Sequence, residues 1–179
     1  MINRQDLVAA IHDTPMALAL AVTGGGVAVI GDLLGVPGAS RTVLEASVPY
    51  AELALAELIG ETPDQAVSQQ TARLMAGACL ERAQFLGTEP VAGVACTAAL
   101  VTAREKKSDH RAHVAIATVD GTKSWSLTLE KGAKDRAGED RIVSDLILRS
   151  IAATAGIELS AVDVEDVDVE DVDVEDVDV

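Results

Sequence analysis

Apolar positions along the chain change their period several times, and each change marks an element. In residues 4 to 13, Leu7, Val8 and Ile11 fall on one face of a helical repeat. This predicts a short amphipathic helix closed by Pro15, with His12 off that face and in solvent. From Met16 to Ala21 six apolar residues run without a break, the pattern of a strand covered on both faces. They meet Gly24, Gly25 and Gly26, after which helical spacing resumes to Leu34 and ends at Val36-Pro37-Gly38. The stretch TVLEASVPY, opened by Ser40 and Arg41, is rich in β-branched residues and predicts a strand reaching Tyr50. Ala51 to Ile59 is built from strong helix formers and stops at Gly60.

Thr62-Pro63-Asp64 reads as a helix start, and Gln65 through Leu86 as one long helix or two short ones, with Met75, Ala76, Cys79 and Leu80 as the buried stripe. Pro90 to Thr97 is a second continuous apolar run and a second buried strand. His113 to Thr118 and Lys123 to Glu130 alternate as two strands joined at Val119-Asp120-Gly121-Thr122, with Trp125 packing in the second. A last helix runs from about Ala137 to Ala155, with Ile142, Val143, Leu146, Ile147 and Ile151 on its apolar face. From Val162 the unit VDVED repeats to the end. A five-residue period suits neither helix nor strand and its like charges repel, so residues 161–179 are expected to be a disordered acidic tail after one domain over 1–160.

Charge and composition narrow the function classes. The formal charge of −15 is uneven, because the tail holds ten carboxylates and no base, leaving a mildly acidic body. Val101 to His113 is the one concentrated basic segment, with Arg104, Lys106, Lys107 and Arg111, and is expected to be a solvated loop. A basic face suited to nucleic acid is missing, and the 2% aromatic content leaves few rings to stack on bases. Cys79 and Cys96 are too few for a disulfide framework and have no zinc-ligand spacing, so no metal or cofactor is expected. Arg4, Asp6, His12, Asp13 and Pro15 do not form a cleavable signal, and Asp32 with its neighbouring glycines argues against a membrane span. The expectation is a cytoplasmic protein.

The three glycines carry the most specific chemistry. A strand entering a helix through glycines presents unpaired N–H groups and the positive end of a dipole, which stabilise an anion or a developing oxyanion. The alternative is a tightly packed strand-to-helix corner with no ligand. The pattern leaves both open. A Rossmann reading fails because Val29 stands at the third glycine position.

Several segments, in this order, resemble the CinA C-terminal domain family: VTGGG, LLGVPGAS, Val48-Pro49-Tyr50 before a helix ending Leu58-Ile59-Gly60, SQQTARLMAGA, VACT, VAIAT and the pair Asp135-Arg136. The resemblance covers about Leu7 to Gly156. It implies a three-layer α/β/α sandwich with a mixed sheet and a pocket over the glycine turn. That family includes nicotinamide mononucleotide deamidases, whose strand enters the turn through Glu-Ser-Cys-Thr-Gly-Gly with serine as nucleophile and a lysine five residues after a tyrosine as base. On Thr23-Gly24-Gly25 that alignment puts Ala21 at the serine, Val22 at the cysteine and Leu20 at the glutamate; on Tyr50 it puts Leu55 at the lysine. Alanine has no oxygen to attack a carboxamide and leucine accepts no proton. The ligand-binding groups that remain are Thr23, Gly24, Gly25, Tyr50, Thr97 and Arg136.

Three roles follow. The first is a catalytically impaired relative that binds a nucleotide or other phosphorylated small molecule at Thr23-Gly24-Gly25. The second is an amidohydrolase releasing ammonia through a rebuilt nucleophile, Cys96, with His110, His113 or Lys106 lowering its pKa. The third is a structural or oligomerisation module, a homo-oligomer of the body that takes no small molecule.

Overall fold

The computed structural model describes residues 2–159 and 173–177. Helix α1 (Arg4–His12) leads into strand β1 (Ala17–Thr23), and the glycines lead on to α2 (Ala28–Leu34). A helical turn α3 (Ala39–Thr42) precedes β2 (Val43–Ser47), α4 (Glu52–Ile59) and the long α5 (Gln69–Leu86). Then come β3 (Val91–Ala99), β4 (His110–Thr118), β5 (Gly121–Leu129), α6 (Arg136–Thr154) and β6 (Asp173–Val177). The strands form one mixed sheet in the order β2-β1-β3-β4-β5-β6. β1 is parallel to β2 and β3, and every later pair is antiparallel.

Side chains alternate across a strand, so each buried strand feeds two cores. Leu18, Leu20 and Val22 of β1, with Val94 and Cys96 of β3, pack against α1, α2 and α6. Ala19 and Ala21, with Ala95 of β3, pack against α4 and α5. The result is the α/β/α sandwich with a mixed sheet that the resemblance implied and with which the strands and helices read from the residue pattern agree. Burying large aliphatic groups such as Leu18, Ile11 and Ile147 contributes about 1.5–3 kcal/mol each.

Four local expectations need correction. His12 is buried, not solvated: its Nε2 contacts Leu33 O at 2.9 Å and its Nδ1 contacts Thr42 Oγ1 at 2.8 Å. Both bonds are satisfied when Nε2–H donates to the carbonyl and Nδ1 accepts from the hydroxyl, so the imidazole ties α1 to α2 and α3. β2 begins only at Val43, after the helical turn at residues 39–42, and ends at Ser47, short of Tyr50. α5 starts at Gln69, where Ser68 Oγ accepts from the Thr71 N–H; the cap decides the boundary over the earlier Thr62-Pro63-Asp64 signal. β4 starts at His110, inside the segment expected to be a basic loop, since His110 and Ala112 turn into the core while Arg111 and His113 do not. The acidic tail lies outside the described residues except for 173–177, which the backbone places as strand β6; edge pairing needs main-chain groups and not a hydrophobic alternation.

Candidate functional site

The glycine corner joins β1 to α2, and its packing explains the residues. A Cβ on Gly24 would sit 1.9 Å from Ala98 O, one on Gly25 2.5 Å from Leu100 Cδ1, and one on Gly26 2.6 Å from Ile147 Cδ1. Gly24 and Gly26 also hold positive φ, at 78° and 82°. At Gly24 the obstacle is main chain and φ is positive, so a side chain is excluded there; at Gly25 and Gly26 the ends of Leu100 and Ile147 would have to shift, which makes this a tightly packed corner.

The anion expected at the helix start is present, and it belongs to the protein. Asp140 of α6 reaches across: Gly26 N–H donates to its Oδ1 at 2.7 Å, Val27 N–H to Oδ1 at 3.1 Å and Ala28 N–H to Oδ2 at 3.1 Å. Ser144 Oγ, one turn further on, donates to Oδ2 at 3.4 Å. Three main-chain donors at the positive end of a helix are satisfied by one carboxylate. A ligand phosphate at that point would have to displace Asp140.

One turn earlier on α6, Arg136 is exposed at the lip of the same corner. Its Nη1 donates to Val101 O at 2.8 Å, and its Nη2 donates to Gly24 O at 3.1 Å and to Tyr50 Oη at 3.3 Å. The guanidinium is thus held in place by three oxygens from three separate segments. The Tyr50 ring beside it is 65% exposed. Glu139, the next acidic residue, is buried; its Oε2 accepts from Val101 N–H at 2.7 Å and its Oε1 lies 2.6 Å from His110 Nδ1. Val101 is therefore clamped at both its N–H and its C=O, which fixes where the 100–109 segment leaves the sheet.

The six expected ligand groups do not form one cluster. Gly24, Tyr50 and Arg136 converge, whereas Gly25 lies under Leu100. Thr23 and Thr97 are paired across β1 and β3, both buried, and the Thr97 hydroxyl donates to Ala66 O at 2.6 Å. Continuing that row, Thr97 stands opposite His113, whose Nδ1 lies 2.7 Å from Ser126 Oγ. Burial, then the neighbouring Arg111 charge, holds His113 below its ordinary pKa and favours the neutral imidazole.

Ala21 and Leu55, the positions aligned with the nucleophile and base, are both buried and pack in the same hydrophobic cluster. Cys96 is a correction. It is fully buried on the opposite face of the sheet from Thr97, beside Gly26, with its thiol pushed well above the ordinary value by burial and by Asp140. His110 is engaged with Glu139, and His113 faces the other layer, so neither lowers the Cys96 pKa. A thiol held neutral in hydrocarbon is no nucleophile. Cys79 is likewise a core residue, its thiol pushed up to about 12 by burial and then by Glu45.

Asp140 and Glu139 went unnoticed in the sequence. The one signal was an acid pair in the first turns of the last helix, four residues beyond Asp135-Arg136 and so on the face that Arg136 presents. Among the described residues no helix is long and apolar enough to cross a membrane, and no cluster of three or more His, Cys, Asp or Glu could hold a metal.

No protein-family model matches the sequence, and no curated protein matches it either. Solved structures do. The competence/damage inducible protein CihA of Agrobacterium tumefaciens superposes with a TM-score of 0.67 at 20% identity, over 84% of this chain and 94% of that one. A competence-damaged protein (CinA) superfamily member of Enterobacter cloacae gives 0.65 at 16% identity, over 87% and 92%. The competence damage-inducible protein A (ComA) of Klebsiella pneumoniae gives 0.64 at 14%, over 87% and 96%. The chain has the fold of the CinA superfamily proteins.

Proposed function

We propose that this chain binds a small phosphorylated, nucleotide-like molecule at the lip formed by Gly24, Tyr50 and Arg136, and that it does not hydrolyse amides. The observation that carries this reading is Arg136, an exposed guanidinium pinned by three protein oxygens beside an exposed tyrosine ring. A fixed guanidinium pairs with a phosphate without losing side-chain freedom, and the ring offers a face to a base or pyridine. The ligand sits outside the glycine corner, since Asp140 already satisfies the α2 N-terminus. Acyl transfer is left out because the two aligned reactive positions carry hydrocarbon in a sealed core and Cys96 is buried away from Thr97.

Titration calorimetry against nicotinamide mononucleotide, NAD and ADP-ribose tests the reading. At least one should bind, Tyr50→Ala should weaken it about tenfold by removing an exposed ring without touching the core, and Arg136→Ala more. Release of ammonia should stay at background for all three. Silence at millimolar ligand, or any turnover, overturns the proposal.

A further inference from the structure

The sheet runs from β2 at one edge to β6 at the other, and without β6 the second edge would be β5, on which β6 is laid. β6, DVEDV, runs antiparallel to β5 with Asp173 opposite Ser126 and Val177 opposite Thr122. The same five residues in the same order occur twice more upstream, at 163–167 and 168–172. A one-residue slip of a strand sends every side chain to the wrong face, but a move of one full repeat restores an identical sequence in an identical register. Sequence and register therefore do not distinguish the three copies.

Reach and charge remain. Counted from Leu159, the last residue described before β6, the three copies start four, nine and fourteen residues later, a span of at most roughly 13, 30 and 46 Å. Loop closure favours the middle copy over the last by about twofold, a small preference. Charge selects the edge. Residues 101–136, which contain β4, β5 and their flanking loops, carry eight bases against five acids, whereas residues 1–100, which contain β2, carry four bases against ten acids. An acidic strand is drawn to β5 and repelled from β2.

We infer that the β5 edge is a docking site for the acidic repeat as such, so that the copies at 163–167, 168–172 and 173–177 exchange on it in one register. A single contact surface then holds the tail while the undocked copies stay available.

Amide hydrogen exchange in β5 distinguishes this from a site for one fixed segment. Proline at two successive positions removes whichever N–H faces β5. With Val174→Pro and Glu175→Pro, β5 should exchange within about threefold of the unaltered chain, because another copy docks. With the same pair also placed at Val164, Glu165, Val169 and Glu170, exchange should rise at least tenfold. If disrupting the last copy alone gives the full increase, or if disrupting all three gives none, the inference is wrong.

Discussion

The two faces of the sheet solve the same packing problem with different materials. On the α4/α5 face the contacts are small: Ala19, Ala21, Ala95, Ala115 and Ala117 of the strands meet Ala72, Ala76, Cys79 and Ala83 of α5. A Cβ on Gly93 would lie 2.1 Å from both Ala76 O and Leu80 N, so the α5 backbone rests directly on β3. The α1/α2/α6 face is filled by Leu, Ile and Val and is then stapled by polar groups. Asp140 caps α2, Arg4 donates to Asp145 at 2.9 and 3.1 Å, Arg141 pairs with Asp32 and Asp145, and His12 joins α1 to α2 and α3. Ala21 and Leu55, the positions that the resemblance aligns with the nucleophile and the base, lie on this face. The polar chemistry sits at the end of the other face, where α6 begins.

The largest expected effect breaks the small-residue face. Gly93→Val drives a branched side chain into helix backbone that cannot yield, costing about 3 kcal/mol or more, a large part of a domain's stability. Gly77, inside α5 with open space where its Cβ would stand, is the control: Gly77→Ala should stabilise by about 0.5–1 kcal/mol. Urea unfolding of both variants checks the pair. Equal effects at the two glycines would mean that the close approach of α5 to β3 is not what holds this face.

The second prediction breaks a staple. Asp140→Ala leaves three α2 N–H groups without their acceptor and should cost about 2–3 kcal/mol. Asp140→Asn, which keeps one carbonyl oxygen but no charge, should cost less. The same unfolding curves read both. A loss below about 0.5 kcal/mol for the alanine variant would reduce the carboxylate to a surface ornament and dissolve the contrast between the faces.

The contrast also explains what the sequence made legible. Strand order of appearance, the two-sided burial of β1 and β3, the β4–β5 hairpin and the last helix all follow from short-range periodicity, which depends on neighbours a few residues away. Tyr50 and Arg136 were named from a resemblance, and the geometry does bring them together at Gly24. The reach of Asp140 to Gly26 was invisible because the partners are 114 residues apart and neither breaks a local pattern. His12 misled for a related reason: off the apolar stripe of α1, it is buried by α2 and α3, elements its own helix cannot announce. The glycines fitted a ligand cradle and a tight corner equally well, since both demand a missing Cβ. The positions of Ala98, Leu100 and Ile147 show why the corner is tight, which the local sequence could not.

The smallest effect probes the polar end of the alanine face. His113, half-buried between Arg111 and Ser126, has its pKa held below the ordinary 6.5, so the unfolded chain takes up a proton before the folded one as pH falls. Its neutral form therefore supports the fold fully above about pH 6.5, and that support is lost as pH drops from there towards the lowered folded value. His113→Gln keeps a polar partner for Ser126 and cannot titrate, so the decline in Tm between about pH 8 and about pH 5 should be shallower than in the unaltered chain. Lys or Arg substitutions would not give this result, because they fix a charge beside Arg111 at every pH. A variant whose pH profile matches the original would place the imidazole in water, and the alanine face would then end at Thr97 and not at the β5 edge.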